Sequence, residues 1–342
     1  MAKVSVQIIT WNSMRYIFDC LESLMRQNFR DFSVIIIDNG SDDGTVEFIR
    51  NNYPTVSVLQ NFKNIGLSKA NDQGIKLAKG EYVLIMNPDV ILAANFLQDI
   101  VNFADQHPEG GVFGSKVLKL KSEAIDQGDQ NGLRESIRSN IIDSAGLEIF
   151  KSRKVINRGE GQKDNGQYDR TQEVFGISGA CVLYRRKALE EIKIRQEYFD
   201  YDFFAYKEDI DICWRMHLYG YGCWYHPQAV CYHYRRLSAP DDKNIRSIVK
   251  SRKEVSKMLR ALSFRNQHLM IVKNDQFINI LMAWPWFLFW ELKIIFYALI
   301  FEPFQYREIV KFFKLLPSML LKRRTIMAHK VTKPKEIRKW FI

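Results

Sequence analysis

Three groups of carboxylates have the type and spacing to do chemistry. Asp38 closes the apolar run Val34-Ile35-Ile36-Ile37, Asp89 closes Asn87-Pro88-Asp89 after the run Tyr82–Met86, and Glu208-Asp209-Ile210-Asp211 forms the third group. A carboxylate at the end of a buried strand faces the crevice in which open α/β sheets bind ligands. There it can accept a hydrogen bond from a nucleoside, hold a hard divalent cation, or remove a proton from a reacting hydroxyl. The three groups together suggest one site for a nucleotide, a metal ion and a hydroxyl. Each group alone also has a local explanation. Asp38 precedes Gly40 and can build its own turn. Asn-Pro-Asp is a common turn, and carboxylates in a helix's first turn favour the dipole.

The neighbours sharpen these roles. Pro88 ends a strand and fixes the backbone, so the Asp89 side chain is aimed. Thr10 and Asn12 end the strand that should lie beside Asp38 in a parallel sheet. Arg215 stands four residues after Asp211 and six after Asp209. That spacing predicts a structural Asp211–Arg215 ion pair and leaves Asp209 for chemistry. His233 ends the short apolar run before Tyr234 and becomes a metal ligand only if it folds back next to Asp89.

The elements that must position these residues follow from the pattern. Residues 4–10 read as a strand, 14–27 as a helix, 34–37 as a strand, 45–52 as a helix, 56–59 as a strand, 67–78 as a helix and 82–86 as a strand. Strand and helix alternate every 10–15 residues or so, which predicts βαβ units and a mostly parallel sheet. The fold class is therefore α/β. Residues 121–173 are polar and read as a functional loop region. Strand character returns over 174–184, with helices expected from Arg186 and Asp209.

Composition bounds the rest. The chain has 342 residues and 46% hydrophobic content, enough for a sizeable core. Its five cysteines form no Cys-x-x-Cys pair and read as reduced thiols of a cytoplasmic protein, with no leader sequence expected. The net charge of +11 is uneven: residues 242–342 hold 21 Lys and Arg against 7 Asp and Glu, and the remainder hold 29 against 32. Residues 276–290 are uncharged and rich in Trp and Phe. A spanning helix needs about 20 apolar residues, and Glu291 and Lys293 interrupt this one. The aromatic, basic stretch fits in-plane attachment to an anionic membrane, peripheral on the inner face. Packing on the core or on a second copy, as a homo-oligomer, is the alternative. No zinc or helix-turn-helix signature accompanies the charge, so no nucleic-acid partner is expected.

The motifs in order resemble the family 2 glycosyltransferases with a GT-A fold. They are Val4-Ser-Val-Gln-Ile-Ile-Thr-Trp-Asn12, Ile37-Asp-Asn-Gly-Ser-Asp-Asp-Gly-Thr45, Asn64-Ile-Gly-Leu-Ser-Lys-Ala-Asn71, Asn87-Pro-Asp89, Gly176-Ile-Ser-Gly-Ala-Cys181, Phe204 to Asp211, and His233. The resemblance covers about residues 3–238. Within the family it points to bacterial rhamnosyltransferases and galactofuranosyltransferases. It implies a Rossmann-like GT-A domain with a nucleotide-sugar half (1–115) and an acceptor half (116–245), and the composition adds a basic helical C-terminal region (246–342). It implies an inverting hexosyltransferase of cell-surface polysaccharide synthesis, using a dTDP- or UDP-sugar, with rhamnose favoured, and a glycan or polyprenyl-diphosphate-linked acceptor. Asp38 would contact the base, with Thr10, Asn12, Lys69, Asn71 and Asn87 on the nucleotide side. Asp89 and His233 would hold Mg²⁺ or Mn²⁺. Asp209 would be the catalytic base, with Glu208, Gly179 and Trp214 on the acceptor side. The common metal motif of the family is Asp-x-Asp, and Asn87 replaces its first member. A nucleotidyltransferase would need a Gly-rich basic loop that residues 10–16 lack, and a non-catalytic glycan-binding protein would not need all three carboxylates.

Overall fold

The computed structural model describes residues 1–121, 137–234 and 252–342. The chain opens with β1 (Val4–Thr10), α1 (Met14–Met25), β2 (Phe32–Asp38), α2 (Thr45–Asn52), β3 (Ser57–Gln60), α3 (Leu67–Leu77) and β4 (Tyr82–Met86). β1 pairs in parallel with β2 on one side and β4 on the other, and β2 pairs in parallel with β3. The strand order therefore reverses beside β1, which makes a switch point where the C-terminal ends of β1 and β4 diverge. The apolar spacing of α1 does what it predicts: Ile17, Leu21 and Leu24 are fully buried with Val4, Val6 and Ile8 of β1.

The second half continues the same sheet. It contributes β5 (Val90–Leu92), α4 (Phe96–Gln106), β6 (Gly110–Lys121), β7 (Ile137–Ser144), β8 (Leu147–Ile149), β9 (Val155–Asn157), β10 (Gln172–Val174), β11 (Cys181–Arg185), α5 (Arg186–Glu191), α6 (Glu208–Leu218) and β12 (Gly222–His233). β11 runs antiparallel between β4 and β6, and β12 lies parallel to β6. The ten strands run in the order β10-β12-β6-β11-β4-β1-β2-β3, with β5 and β7 on the flank. One sheet thus crosses both halves, and β6 straddles residue 115. The polar stretch 121–173 carries β7, the β8–β9 hairpin and β10 where it is described. Glycine, Asn and Asp there punctuate short strands rather than one long loop. Residues 122–136 of that stretch lie outside the described residues, as does 235–251, which holds the 245/246 boundary. All five cysteines are buried free thiols.

The C-terminal region comprises α7 (Lys257–Asn274), α8 (Phe277–Met282), α9 (Trp284–Phe301), α10 (Tyr306–His329) and α11 (Pro334–Arg338). Leu269 and Met270 of α7 and Met319 and Ile326 of α10 share a core with Trp214 and Leu218 of α6. Charged groups are buried at the same seam. Lys273 contacts Asp200 at 2.5 Å and Asp211 at 2.8 Å, and Arg153 contacts Asp275 at 2.6 Å with both side chains fully buried. Lys322 adds contacts to Glu197 and Asp202 at 3.1 Å. α9 behaves differently. Its Trp284, Trp286, Phe289, Leu292 and Phe296 are exposed, and of its residues Ala298 is buried. Apolar side chains are exposed along most of this helix, interrupted by Glu291 and Lys293. Its Glu291 turns inward to His268 at 2.7 Å.

Candidate active site

The sheet aligns the first group of residues. Thr10 is level with Asp38, and Asp38 with Gln60. Asp38 is fully buried, and its carboxylate is consumed locally. Oδ1 accepts from the Thr10 hydroxyl at 2.8 Å and the Ser41 hydroxyl at 2.5 Å. Oδ2 accepts from the backbone N–H of Gly40 at 3.1 Å and of Ser41 at 2.9 Å. Gly40 has φ 79° and sits close on Lys63, so the turn needs glycine. Four donors thus surround the carboxylate, and through them Asp38 shapes the loop at the end of β2. Asn12 joins in that work. Its φ is 50°, its Oδ1 accepts from Asp42 N–H at 3.0 Å, and its own N–H donates to Ser41 at 2.9 Å.

The second group gathers at the end of β4. Asp89 Oδ1 lies 3.4 Å from His233 Nε2, although 144 residues separate them in sequence. The antiparallel pairing of β5 with β12 sets Val90 opposite His233 and closes that distance. The other ring nitrogen of His233 is 2.9 Å from Asp143, a buried carboxylate that the sequence reading did not single out. Burial works against the imidazolium, but the Asp143 and Asp89 carboxylates outweigh it and raise the His233 pKa to about 10. Asp89 Oδ1 is itself buried without a hydrogen-bond partner. A divalent cation that displaced the Nε2 proton of His233 could take that nitrogen and Asp89 Oδ1 as ligands, with Asp143 holding Nδ1–H from behind. Among the described residues there is no cluster of three His, Cys, Asp or Glu able to hold a metal alone. The remaining ligands would have to come from substrate phosphates and water.

The third group opens on the same crevice. One narrow cavity is lined by Ile9, Asn71 and Asn87 from the first half and by Gly179, Glu208 and Asp209 from the second. Asp209 Oδ2 accepts from Gly179 N–H at 3.1 Å, and Oδ1 from Ile210 N–H at 2.8 Å. A Cβ at Gly179 would sit 3.3 Å from the Asp209 Cβ, so glycine lets the strand-end amide reach the carboxylate. Glu208 is buried, and its Oε2 has no partner. Burial first, and then repulsion from Asp209, raise its pKa to about 8, which favours the neutral carboxyl. Asp211 pairs with Arg215 at 3.2 Å, as the four-residue spacing predicts. Trp214 is a correction. It is fully buried between Phe175 and Phe341 in the core, five residues round the helix from Asp209, and does not face the cavity.

The remaining nucleotide-side residues divide. Asn71 lines the cavity, with its Oδ1 held by Gln7 at 2.9 Å. Lys69 is exposed, with its ammonium 5.5 Å from the Tyr201 ring.

A parallel sheet with a switch point, continued by an antiparallel half that delivers carboxylates to the same crevice, is the GT-A arrangement of nucleotide-sugar enzymes. The profile of glycosyl transferase family 2 matches residues 5–193, more than half of the chain, and the chain belongs to that family. A second profile, glycosyl transferase family group 2, matches residues 158–320. The poly-beta-1,6-N-acetyl-D-glucosamine synthase of Staphylococcus epidermidis is 24% identical over 237 residues, which is 67% of this chain and 49% of that protein. The chain spans about half the length of the curated relatives it matches. Among solved structures, Staphylococcus aureus TarS 1-349 superposes with a TM-score of 0.53 at 18% identity, over 98% of this chain and 90% of that one. The mannosyltransferase PcManGT from Pyrobaculum calidifontis, in complex with GDP-Man and Mn²⁺, gives a TM-score of 0.51 at 17% identity, over 99% and 83%. These likenesses carry the GT-A fold. The Staphylococcus relatives are named as N-acetylglucosamine polymer synthases, whereas the motifs resemble the rhamnosyl and galactofuranosyl branch.

Proposed function

We propose that this chain is an inverting glycosyltransferase. It would move a sugar from a nucleotide-diphosphate donor to a hydroxyl of a glycan or lipid-linked acceptor in cell-surface polysaccharide synthesis. The observation that carries this reading is the shared cavity, in which Asn71 and Asn87 face Glu208 and Asp209. Asp209 takes the proton of the acceptor hydroxyl as that oxygen attacks the anomeric carbon. Gly179 N–H holds one oxygen of Asp209 and so sets the orientation of the other. Neutral Glu208 donates a hydrogen bond to the acceptor sugar. A cation bound by Asp89 and His233 Nε2 would neutralise the charge growing on the leaving diphosphate. No carboxylic acid is required opposite the base, because the diphosphate leaves as an anion. One base and one in-line displacement give inversion, unlike the paired carboxylates of glycoside hydrolysis. Residues 1–115 would serve the donor and 116–245 the acceptor.

The donor is read from two sources. The motif resemblance favours rhamnose, and the names of the curated relatives favour N-acetylglucosamine. A screen of dTDP-rhamnose, UDP-galactofuranose, UDP-glucose and UDP-N-acetylglucosamine, with Mn²⁺ or with EDTA, tests the reading by nucleotide release. Release from one donor, lost in EDTA, is expected. Binding of a glycan without release from any donor would favour the non-catalytic reading.

The C-terminal region would attach the enzyme to an anionic membrane surface. α9 has 18 residues and is about 27 Å long at the usual rise, close to the hydrocarbon thickness. It carries Glu291 and Lys293 near its middle, however, and the first of these is tied to the protein. Seating in one leaflet fits better than a crossing. Lys151 lies 5.2 Å over the Trp286 ring and Lys154 5.2 Å over Trp290, which places cations where indoles meet headgroups. Sedimentation with vesicles of phosphatidylcholine containing phosphatidylglycerol is expected, weakened by Trp286→Ala with Phe289→Ala. A defined dimer that ignores such vesicles would instead assign this face to a second copy.

A further inference from the structure

The loop that presents Glu208 and Asp209 is built against its own backbone preferences. Phe204, Tyr206 and Lys207 hold φ of 64°, 72° and 72° without being glycine. Phe204 has ψ −60°, and Ala205 N–H donates to Phe203 C=O at 2.7 Å. That is the strained form of the γ-turn, the rarer of its two hands. Left-handed geometry is unfavourable for each such residue, and it persists only where surroundings over-determine it.

Here the surroundings are largely one side chain. Asn266 of α7 is fully buried, and the two hydrogens of its amide nitrogen are shared among the carbonyls of Phe203 at 2.8 Å, Ala205 at 2.9 Å and Tyr206 at 2.9 Å. Its amide oxygen accepts from Arg265 Nε at 3.2 Å and Nη2 at 3.1 Å, so the amide cannot turn round. The same Arg265 Nη2 donates to Asp202 C=O at 2.9 Å. The loop is also tied forward to the donor side. Phe204 C=O accepts from Ser68 N–H at 3.1 Å in the first turn of α3, the helix that carries Asn71. The Phe204 ring packs where a Cβ on Gly66 would come within 2.6 Å of it. A side chain outside the catalytic half thus closes three carbonyls of a strained turn, and that turn joins the donor helix to the first residues of α6.

We propose that Asn266 is a positioning residue: by clamping the turn at 203–206 it holds Glu208 and Asp209 in the cavity opposite the donor. The proposal rests on the transferase reading above. A buried amide that served stability alone would affect all functions together. A positioning clamp affects the acceptor chemistry and spares the nucleotide.

The test uses the full chain with Asn266→Asp, which keeps the shape but turns an acceptor toward three carbonyls. Hydrogen exchange followed by mass spectrometry should show amides of 203–209 exchanging at least tenfold faster, with the strands of the sheet unchanged. Turnover number with the donor active in the screen should fall about 10–100-fold, the range a misplacement of roughly 1 Å produces. The KM for that donor and the affinity for UDP or dTDP with Mn²⁺ should stay within twofold. Asn266→Ala, which removes the donors without adding repulsion, carries the same test if the aspartate variant does not fold. Wild-type exchange over 203–209, an unchanged turnover number, or a parallel loss of nucleotide affinity would each overturn the clamp. Asp209→Asn measured alongside separates the two claims. Normal turnover in that variant removes the base, while the exchange pattern still decides whether Asn266 holds the loop.

Discussion

The two ends of the cleft are built by different means. At the donor edge, Asp38 is satisfied by Thr10, Gly40 and Ser41, all within 28 residues of it. At the acceptor edge, Glu208 Oε2 has no partner, and the turn before it is held by a side chain 60 to 63 residues away. The buried charges behind α6 reach further still, from Asp200 to Lys322 over 122 residues. The first edge is made by local turn chemistry and can form as its βαβ unit forms. The second is made by long-range contacts and stores strain and desolvation where the chemistry is proposed. A site rigid on one side and over-determined from afar on the other is what donor binding followed by acceptor activation would require.

The largest expected effect comes from breaking the long-range side. Lys273→Met leaves Asp211 and Asp200 buried without one of their cations. Removing one partner of a buried pair costs about 3–5 kcal/mol, read as a fall in the urea midpoint at constant slope. The same seam makes truncation a poor test of membrane attachment. Cutting before α10 would also strip Lys322 from Glu197, Asp200 and Asp202. Thr10→Val should be milder. It removes one hydrogen bond to a charged group, at about 1.5–3 kcal/mol, and should loosen the 38–44 loop without altering exchange at 203–209. Equal destabilisation by the two variants would erase the contrast between the edges.

The smallest effect is the pH dependence of Glu208. Its folded pKa of about 8 lies above the ordinary glutamate value. Between roughly pH 4.5 and 8 the unfolded chain therefore binds fewer protons than the native one, and stability falls as pH rises through that window. Glu208→Gln removes this slope. It should melt higher than wild type at pH 8, by about 2–4 °C for each kcal/mol relieved, and should show no advantage at pH 4. Equal melting points for the variant and wild type at pH 8 would show that folding does not raise the pKa of this carboxyl.

The same contrast explains how much was legible in the sequence. β1, α2 and β4 fall where periodicity and turn signals place them, because their limits are written in adjacent residues. The Asp211–Arg215 pair was legible from helical spacing. Asp38 was half legible: its position was right, but its saturation depends on hydroxyls whose directions a sequence does not display. Trp214 was misread because nearness to Asp209 in sequence was taken for nearness in space, and five residues turn a helix about 140°. Asn266 and Asp143 were not legible, since an Asn in a basic helix and an Asp in a polar stretch carry no local signature. The His233–Asp89 contact was legible only as a condition, and the β5–β12 pairing meets it.

The most direct test of the central claim is single-turnover transfer by Asp209→Asn beside wild type, with nucleotide binding measured on the same samples. The account predicts a loss of transfer of at least about 10²-fold, the lower range for removing a general base, with UDP or dTDP affinity in Mn²⁺ unchanged. Transfer within a few-fold of wild type would contradict it and remove Asp209 as the base.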